Sequence, residues 1–412
     1  MKKASIINIG NELLNGQTVN TNAAYLSREL FTNNIPVVSS YAIGDDEDAI
    51  LRAFDLATAD ADIVLITGGL GPTDDDLTRQ TMASYLGTEL QLQTDLLERL
   101  EDFFKKRNLS MPEKNKIQAY IPAGARKLVN NFGTAPGIMV EKEDKLIFAL
   151  PGVPSEMKRI FAESVLPELH QFAGEQAIAI RKLKCFGAGE STIAEMLGST
   201  CQRGRNPQVN CTVKYGIITL HIIAFSEDED TALKMLEKEE ESIRNNLGDL
   251  VYGTGDQTLA GVVGEKLTRQ KKTISVAESC TGGLLAKMLT DIPGASGYFT
   301  HGWITYSNEA KTMDLDVEAG LIHKYGAVSE QVAEAMAHSA RKKAQTDFAI
   351  GITGIAGPDG GSEQKPVGLV YISVDSDNNC ITKCCHFSND RRSIRLRAAH
   401  TALNMLRLKL ND

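Results

Sequence analysis

Val276-Ala277-Glu278-Ser279-Cys280-Thr281-Gly282-Gly283 continues an apolar run that begins at Thr273 and leads into a helical pattern of Leu284, Leu285, Met288 and Leu289. A strand that feeds a helix through such a turn exposes small side chains. It also points free backbone N–H groups outward from the first helical turn. Hydrolases place nucleophiles there, because the same N–H groups can hold a phosphate or a developing oxyanion. Alone, the stretch also reads as a plain strand-to-helix turn. Two further glycine-rich segments, Thr67 to Asp76 and Gly351 to Gly361, also follow apolar strands and favour the functional reading.

Outward from this turn, apolar runs and helical patterns alternate. Strands are expected at Ala4 to Ile9, Ile35 to Tyr41 and Ile63 to Thr67, with helices near 23–31, 47–57, 77–86 and 95–107. This alternation predicts an α/β fold, a doubly wound parallel sheet with sites at the carboxyl ends of its strands. A hairpin should span 138–149, and Leu150-Pro151-Gly152-Val153-Pro154 should lead into a helix. Residues from about 175 to 250 read as β-α-β-β-α, a small α+β module. Tyr252-Gly253-Thr254-Gly255-Asp256 reads as a linker. The third segment then runs helix, strand, the Ser279 turn, helix, strand Phe299 to Tyr306, a long helix Glu330 to Ala344, three further strands and a C-terminal helix. The expected domains are 1–172, 173–252 and 253–412.

The chain has 412 residues and a net charge of −9, which argues against a general nucleic-acid binder. Over residues 178–250 there are nine Lys and Arg against eleven Asp and Glu, which favours a spacer or dimerisation role for the middle module. All seven cysteines lie from Cys185 onward without a Cys-x-x-Cys pair, as suits a reducing cytoplasm rather than a zinc site or disulfide framework. No apolar run is long enough for a membrane span, and Ile6 to Ile9 is too short for a signal peptide. A cytoplasmic protein is expected.

Thr67-Gly68-Gly69-Leu70-Gly71-Pro72-Thr73-Asp74-Asp75-Asp76 lets backbone approach a ligand at Gly68, Gly69 and Gly71. Adjacent carboxylates suit phosphate only if a divalent cation bridges the two, so Asp74, Asp75 and Asp76 are candidate metal ligands. Glu12 could add a carboxylate from the first strand end, while Asn20 and Asn22 could bind hydroxyls or cap a helix. In the third segment, Glu278 to Gly283, Tyr306-Ser307-Asn308-Glu309-Ala310-Lys311 and Gly351 to Gly361 could form one pocket. Serine needs a base, and no histidine has a triad-like setting. Lys311 could serve if burial keeps it neutral. Cys280, a thiol at a helix N-terminus, rivals Ser279 as nucleophile.

These motifs, in this order, resemble the competence/damage-inducible protein CinA family over essentially the whole chain. Residues 1 to about 170, through Asn20-Thr21-Asn22, the Thr-Gly-Gly-Leu-Gly-Pro-Thr-x-Asp-Asp motif and Leu150 to Pro154, resemble its molybdopterin-binding-like domain. The middle resembles its KH-type module and the remainder its nicotinamide-nucleotide amidase domain. The resemblance implies two hydrolytic activities. One deamidates nicotinamide mononucleotide to nicotinate mononucleotide and ammonia, without a cofactor, using Ser279 as nucleophile and Lys311 as base. Thr353 would help hold the amide and Arg391 would sit near the phosphate. Glu278, Cys280, Thr281, Gly282, Gly283, Tyr306, Asn308 and Gly354 would line that site. The other activity splits ADP-ribose into AMP and ribose 5-phosphate with a divalent metal (Mg, Mn or Co, with K as a further candidate). A homodimer without direct nucleic-acid contact is expected. Two rival readings stand beside this one. In the first, the N-terminal domain only binds a pterin or nucleotide. In the second, the chain is an accessory factor in competence or DNA damage. Asn11 and Gly187-Ala188-Gly189-Glu190 depart from the family pattern.

Overall fold

In the computed structural model, which describes residues 2–172 and 176–411, the strands Ala4–Ile9, Ile63–Thr67 and Lys145–Leu150 are buried nearly throughout. Strands covered on both faces lose the usual alternation and read as continuous apolar runs. They belong to a six-stranded sheet in the order Val37–Ile43, Ala4–Ile9, Ile63–Thr67, Lys145–Leu150, Gly137–Lys142, Arg126–Leu128. Alternate residues feed two cores. Ile7, Val64, Ile66 and Ile147 pack on one face with Phe54, Met82 and Leu96. Ile6, Leu65, Phe148 and Leu150 pack on the other with Leu26, Leu30 and Phe161. The sheet is therefore doubly wound, but it is mixed rather than parallel. The first four strands run parallel and the last two pair antiparallel, because the two residues between Lys142 and Lys145 allow only a hairpin.

By its packing the chain divides into two units, Met1–Ala179 with Phe225–Ala232 and Ile180–Ala224 with Leu233–Asp412. The expected boundary at residues 172 and 173 adjoins 173–175, which lie outside the described residues. The second unit holds a four-stranded sheet in the order Gln208–Lys214, Ile217–Ser226, Ala177–Cys185, Val251–Thr254. The stretch expected as a linker is thus largely an edge strand, pairing antiparallel with Ala177–Cys185. Its glycines suggested a loop, but Val251 and Tyr252 are buried.

A five-stranded sheet follows in the same unit, ordered Phe299–Ile304, Ile274–Glu278, Phe348–Gly354, Leu369–Ser376, Cys380–His386. Its first three strands are parallel and its last two antiparallel. Helices Leu259–Gln270 and Arg391–Lys409 cover one face, and Glu330–Ala344 packs on the other. Two short helices that the sequence reading did not separate, Asn308–Leu315 and Ala319–Tyr325, follow the first strand of the sheet order. Among the described residues no helix is long and apolar enough to cross a membrane.

Phe186 and Tyr252, from the middle module, sit in the same apolar cluster as Leu259, Leu403 and Leu406. Arg407 Nη2 donates to the Asp249 carbonyl at 2.5 Å. A fragment beginning at Gly255 should therefore unfold at a lower temperature than one beginning at Ile180, by at least several degrees, since stripping two aromatic partners costs about 3 kcal/mol or more. Thermal unfolding of both fragments checks this, and equal midpoints would show the interface to be energetically neutral.

Candidate active site

The parallel strands Ile274–Glu278, Phe299–Ile304 and Phe348–Gly354 end side by side. There the Ser279 N–H donates to the Ile352 carbonyl at 2.9 Å and the Thr305 N–H to the Glu278 carbonyl at 2.9 Å. These bonds draw three sequence motifs into one place. Ser307 caps helix Asn308–Leu315 by accepting from the Ala310 N–H, which starts the helix where Lys311 turns inward. Lys311 Nζ lies 3.0 Å from Ser279 Oγ, 2.7 Å from the Thr305 carbonyl and 3.5 Å from the Ser307 carbonyl. The lysine is 1% exposed and Ser279 8%. No carboxylate pairs with Lys311 among the described residues. Burial alone drives its ammonium down to about 8, against a weak opposing influence from Cys280.

Cys280 is 5% exposed, and burial pushes its thiol up to about 12. A thiol so disfavoured as thiolate is a poor nucleophile, whatever its place in the turn. Among the described residues, the N–H groups of Cys280 and Thr281 carry no backbone hydrogen bond. The turn closes through Gly282 and Gly283 in left-handed conformations, φ +57° and +86°. A Cβ on Gly283 would also come within 3.0 Å of Ile304.

Other expected site residues serve the frame. Glu278 was expected to bind substrate. Its buried carboxylate instead accepts from the Leu285 and Ala286 N–H groups, at 3.1 and 2.8 Å, and caps helix Leu284–Thr290. Thr353 is buried and donates its hydroxyl proton to the Ala327 carbonyl at 2.7 Å, so it steadies a loop rather than offering that proton to an amide. A Cβ on Gly354 would meet the Leu369 carbonyl and Val370 within 2.9 Å, which ties this glycine to strand packing. Arg391 spans the Gly357 carbonyl at 2.6 Å and the Tyr306 hydroxyl at 2.7 Å. Tyr306 and Asn308 are exposed, so this rim is open to a ligand.

In the first unit, Gly68 has φ +105°, and a Cβ there would lie 2.1 Å from the Ile9 carbonyl, so only glycine fits. The Asp76 carboxylate accepts from the Gly71 N–H at 2.7 Å, the Thr73 N–H at 2.9 Å and the Thr73 hydroxyl at 2.5 Å. Its main task is to clamp the loop. Asp74 is exposed and pairs with Lys114 at 3.1 Å. Asn20 caps helix Thr21–Thr32, while Asn22 Nδ2 ties Thr67 Oγ1 and the Gly152 carbonyl together. Asn22 Oδ1 is buried without a partner. Asp75 is exposed and is stabilised as a carboxylate by the Thr73 hydroxyl, which holds its carboxyl below the ordinary range.

Four residues escaped the sequence reading. Asp45 accepts from the Asn11 N–H. Burial first, then the charges of Glu12, Asp75 and Asp76, raise its carboxyl above the ordinary range. A divalent cation beside Asp45 would offset the negative charge around it. Among the described residues no three such carboxylates converge on one metal position. The rule that strand ends face one crevice could have found Asp45. Arg79 is fully buried behind the glycine loop and donates to the Leu70 carbonyl at 2.6 Å, with Nε and Nη1 unpartnered. Thr305 supplies the lysine's carbonyl partner. Arg395, one helical turn beyond Arg391, grips the Thr281 carbonyl at 2.5 Å.

The geometry defines a class: an α/β chain that pairs a glycine-loop sheet domain with a buried serine–lysine site. Family models described as "Probable molybdopterin binding domain", "Damage-inducible protein CinA KH domain" and "CinA C-terminal domain" match residues 5–171, 180–253 and 256–410. A competence-damage inducible protein of Caldicellulosiruptor bescii is 44% identical over 409 residues, 99% of each chain. A CinA-like protein of Dictyoglomus thermophilum is 41% identical over 405 residues, 98% of each. The crystal structure of a competence/damage inducible protein from Agrobacterium tumefaciens, 42% identical, covers 37% of this chain and 94% of its own at a TM-score of 0.37. This chain belongs to the CinA family of competence-damage inducible proteins.

The capping role of Glu278 has a measurable consequence. Glu278→Ala leaves two buried N–H groups unpaired and should cost about 2 kcal/mol or more of stability. Urea unfolding reads that loss as a shifted midpoint. A wild-type midpoint joined to a weakened substrate KM would instead make Glu278 a substrate ligand.

Proposed function

We propose that the second unit is a serine amidase that converts nicotinamide mononucleotide and water to nicotinate mononucleotide and ammonia. The observation that carries this reading is the 3.0 Å approach of Ser279 Oγ to a desolvated Lys311 whose pKa sits at about 8. A lysine of ordinary basicity is protonated at neutral pH and cannot take a proton. This one is part neutral. In this reading Ser279 Oγ attacks the carboxamide carbon as its proton passes to Lys311. The oxyanion faces the free N–H groups of the Cys280–Thr281 turn. Collapse breaks the C–N bond, and the departing nitrogen takes the proton from Lys311 and leaves as ammonia. Water, relieved of a proton by Lys311, then cleaves the acyl ester, releases the carboxylate and restores Ser279. Arg391 and Tyr306, on the rim, suit the phosphate.

For the first unit we propose hydrolysis of ADP-ribose to AMP and ribose 5-phosphate. One or two of Asp75, Glu12 and Asp45 would hold a divalent cation, which when bound would neutralise and polarise the diphosphate. The backbone beyond Gly68 approaches the phosphates, and Arg79 stands behind the loop as a fixed positive charge. The commitment of Asp76 to the loop favours a second reading, that this unit binds a nucleotide or pterin without cleaving it. Incubation of pure protein with ADP-ribose, with and without EDTA, decides between them. Hydrolysis abolished by EDTA supports catalysis, and binding without turnover supports the rival.

Ammonia release from nicotinamide mononucleotide should survive EDTA. It should fall by about three orders of magnitude or more in Ser279→Ala and Lys311→Ala. Cys280→Ser should keep most of it. Because the neutral amine is the base, the rate should climb about tenfold per pH unit below pH 8 and level off above it. A flat profile from pH 6 to 9, or an active Ser279→Ala, would remove Lys311 and Ser279 from these roles.

A further inference from the structure

The balanced charge of the middle module conceals a segregation. Its acids concentrate on helix Glu229–Leu247, which carries Glu229, Asp230, Glu237, Glu239, Glu240 and Glu241. Strand alternation instead places Lys182, Lys184, Thr219 and His221 on one sheet face. Leu183, Cys185, Leu220 and Ile222 point the other way and are buried. Pairing of Thr212 with Thr219 and of Lys214 with Ile217 brings Lys214 beside the same face.

Opposite this basic face, in the same packing unit, stand Leu259, Ala260, Met288 and Ile292, with Tyr252 at the edge. Together the two walls bound a cleft of about 530 Å³, the size of a small-ligand site. The cations around it are only partly met. Lys182 lies 3.5 Å from the exposed Asp256, and Lys184 donates to the Thr219 hydroxyl at 3.1 Å. Asp291, the other acid on the cleft, pairs with Lys287. Lys214 has no ion pair among the described residues. Burial, and then the charges of Lys182 and Lys184, hold the His221 imidazole below its ordinary value.

We propose that this cleft binds a small organic anion of mononucleotide size, its charged group among Lys182, Lys184 and Lys214 and its planar body against the apolar wall. Such a ligand meets an apolar surface and cations that are only partly paired, and the facing wall limits it to a small molecule. Met288 belongs to helix Leu284–Thr290 and Ile292 follows it closely. This helix begins at the Ser279 turn, so an occupant touches its far end. The binding claim does not depend on the amidase reading.

Titration calorimetry of the full chain with AMP, adenosine and inorganic phosphate, each separately, tests it. AMP should bind more tightly than either of its parts. The double variant Lys182→Glu/Lys184→Glu should weaken one class of AMP site by more than about tenfold, while its melting temperature stays near wild type. Should that variant fail to fold, Ile292→Trp fills the cleft without changing charge and should lose the same site. Superimposable AMP isotherms for wild type and a folded variant overturn the proposal. So does adenosine binding as tightly as AMP, or no AMP binding at millimolar concentration.

Discussion

The burial of Lys311 against Ser279 is the constraint around which the second unit is arranged. Holding an amine at about 8 rather than 10.5 places a penalty of about 3 kcal/mol on its charged form. Among the described residues no carboxylate pairs with it to offset that penalty, so the packing and carbonyl partners around the amine must hold it in place. Three strand ends do so. The central strand delivers Ser279, one neighbour delivers the Thr305 carbonyl that orients the amine, and the other binds the Ser279 N–H through Ile352. Glu278 fixes the start of the following helix, and Arg395 holds the Thr281 carbonyl from the C-terminal helix. A shift in any of these would move the hydroxyl away from its base.

The first unit uses a related layout with a different balance. It also ends a buried strand in a glycine turn and sets a buried cation, Arg79, behind it. Burial lowers that guanidinium to about 10, with Asp76 partly opposing the effect. Here the reactive side is acidic. Among the described residues Asp45, Glu12 and Asp75 have no ion pair, whereas Asp76 is spent on loop geometry. In the proposed reading the first unit takes a ligand that arrives with a cation, and the second one that needs only a hydroxyl and a base.

Much of this was legible in the sequence because apolar strands end abruptly in small, polar residues. Ile63–Thr67 falls where it was expected, and Ser279, Lys311 and the glycine turns meet as their motifs implied. What the sequence hid depends on partners far away along the chain. Nothing local shows that Glu278 turns toward Ala286, or that Thr353 faces Ala327. Val251–Thr254 looked like a linker because glycines mask a strand whose apolar residues are buried. The basic sheet face vanished in a count that averaged it with an acidic helix.

The central claim is that burial brings the Lys311 amine partly into its neutral form near neutral pH. Selective ¹³C labelling of lysine, with the Lys311 signal assigned by its loss in Lys311→Arg, allows its titration to be followed by NMR. A midpoint near 8, well below the other lysines, is the predicted result. A midpoint above 10, shared with the exposed lysines, would contradict the account: Lys311 would be a structural cation and Ser279 would lack its base.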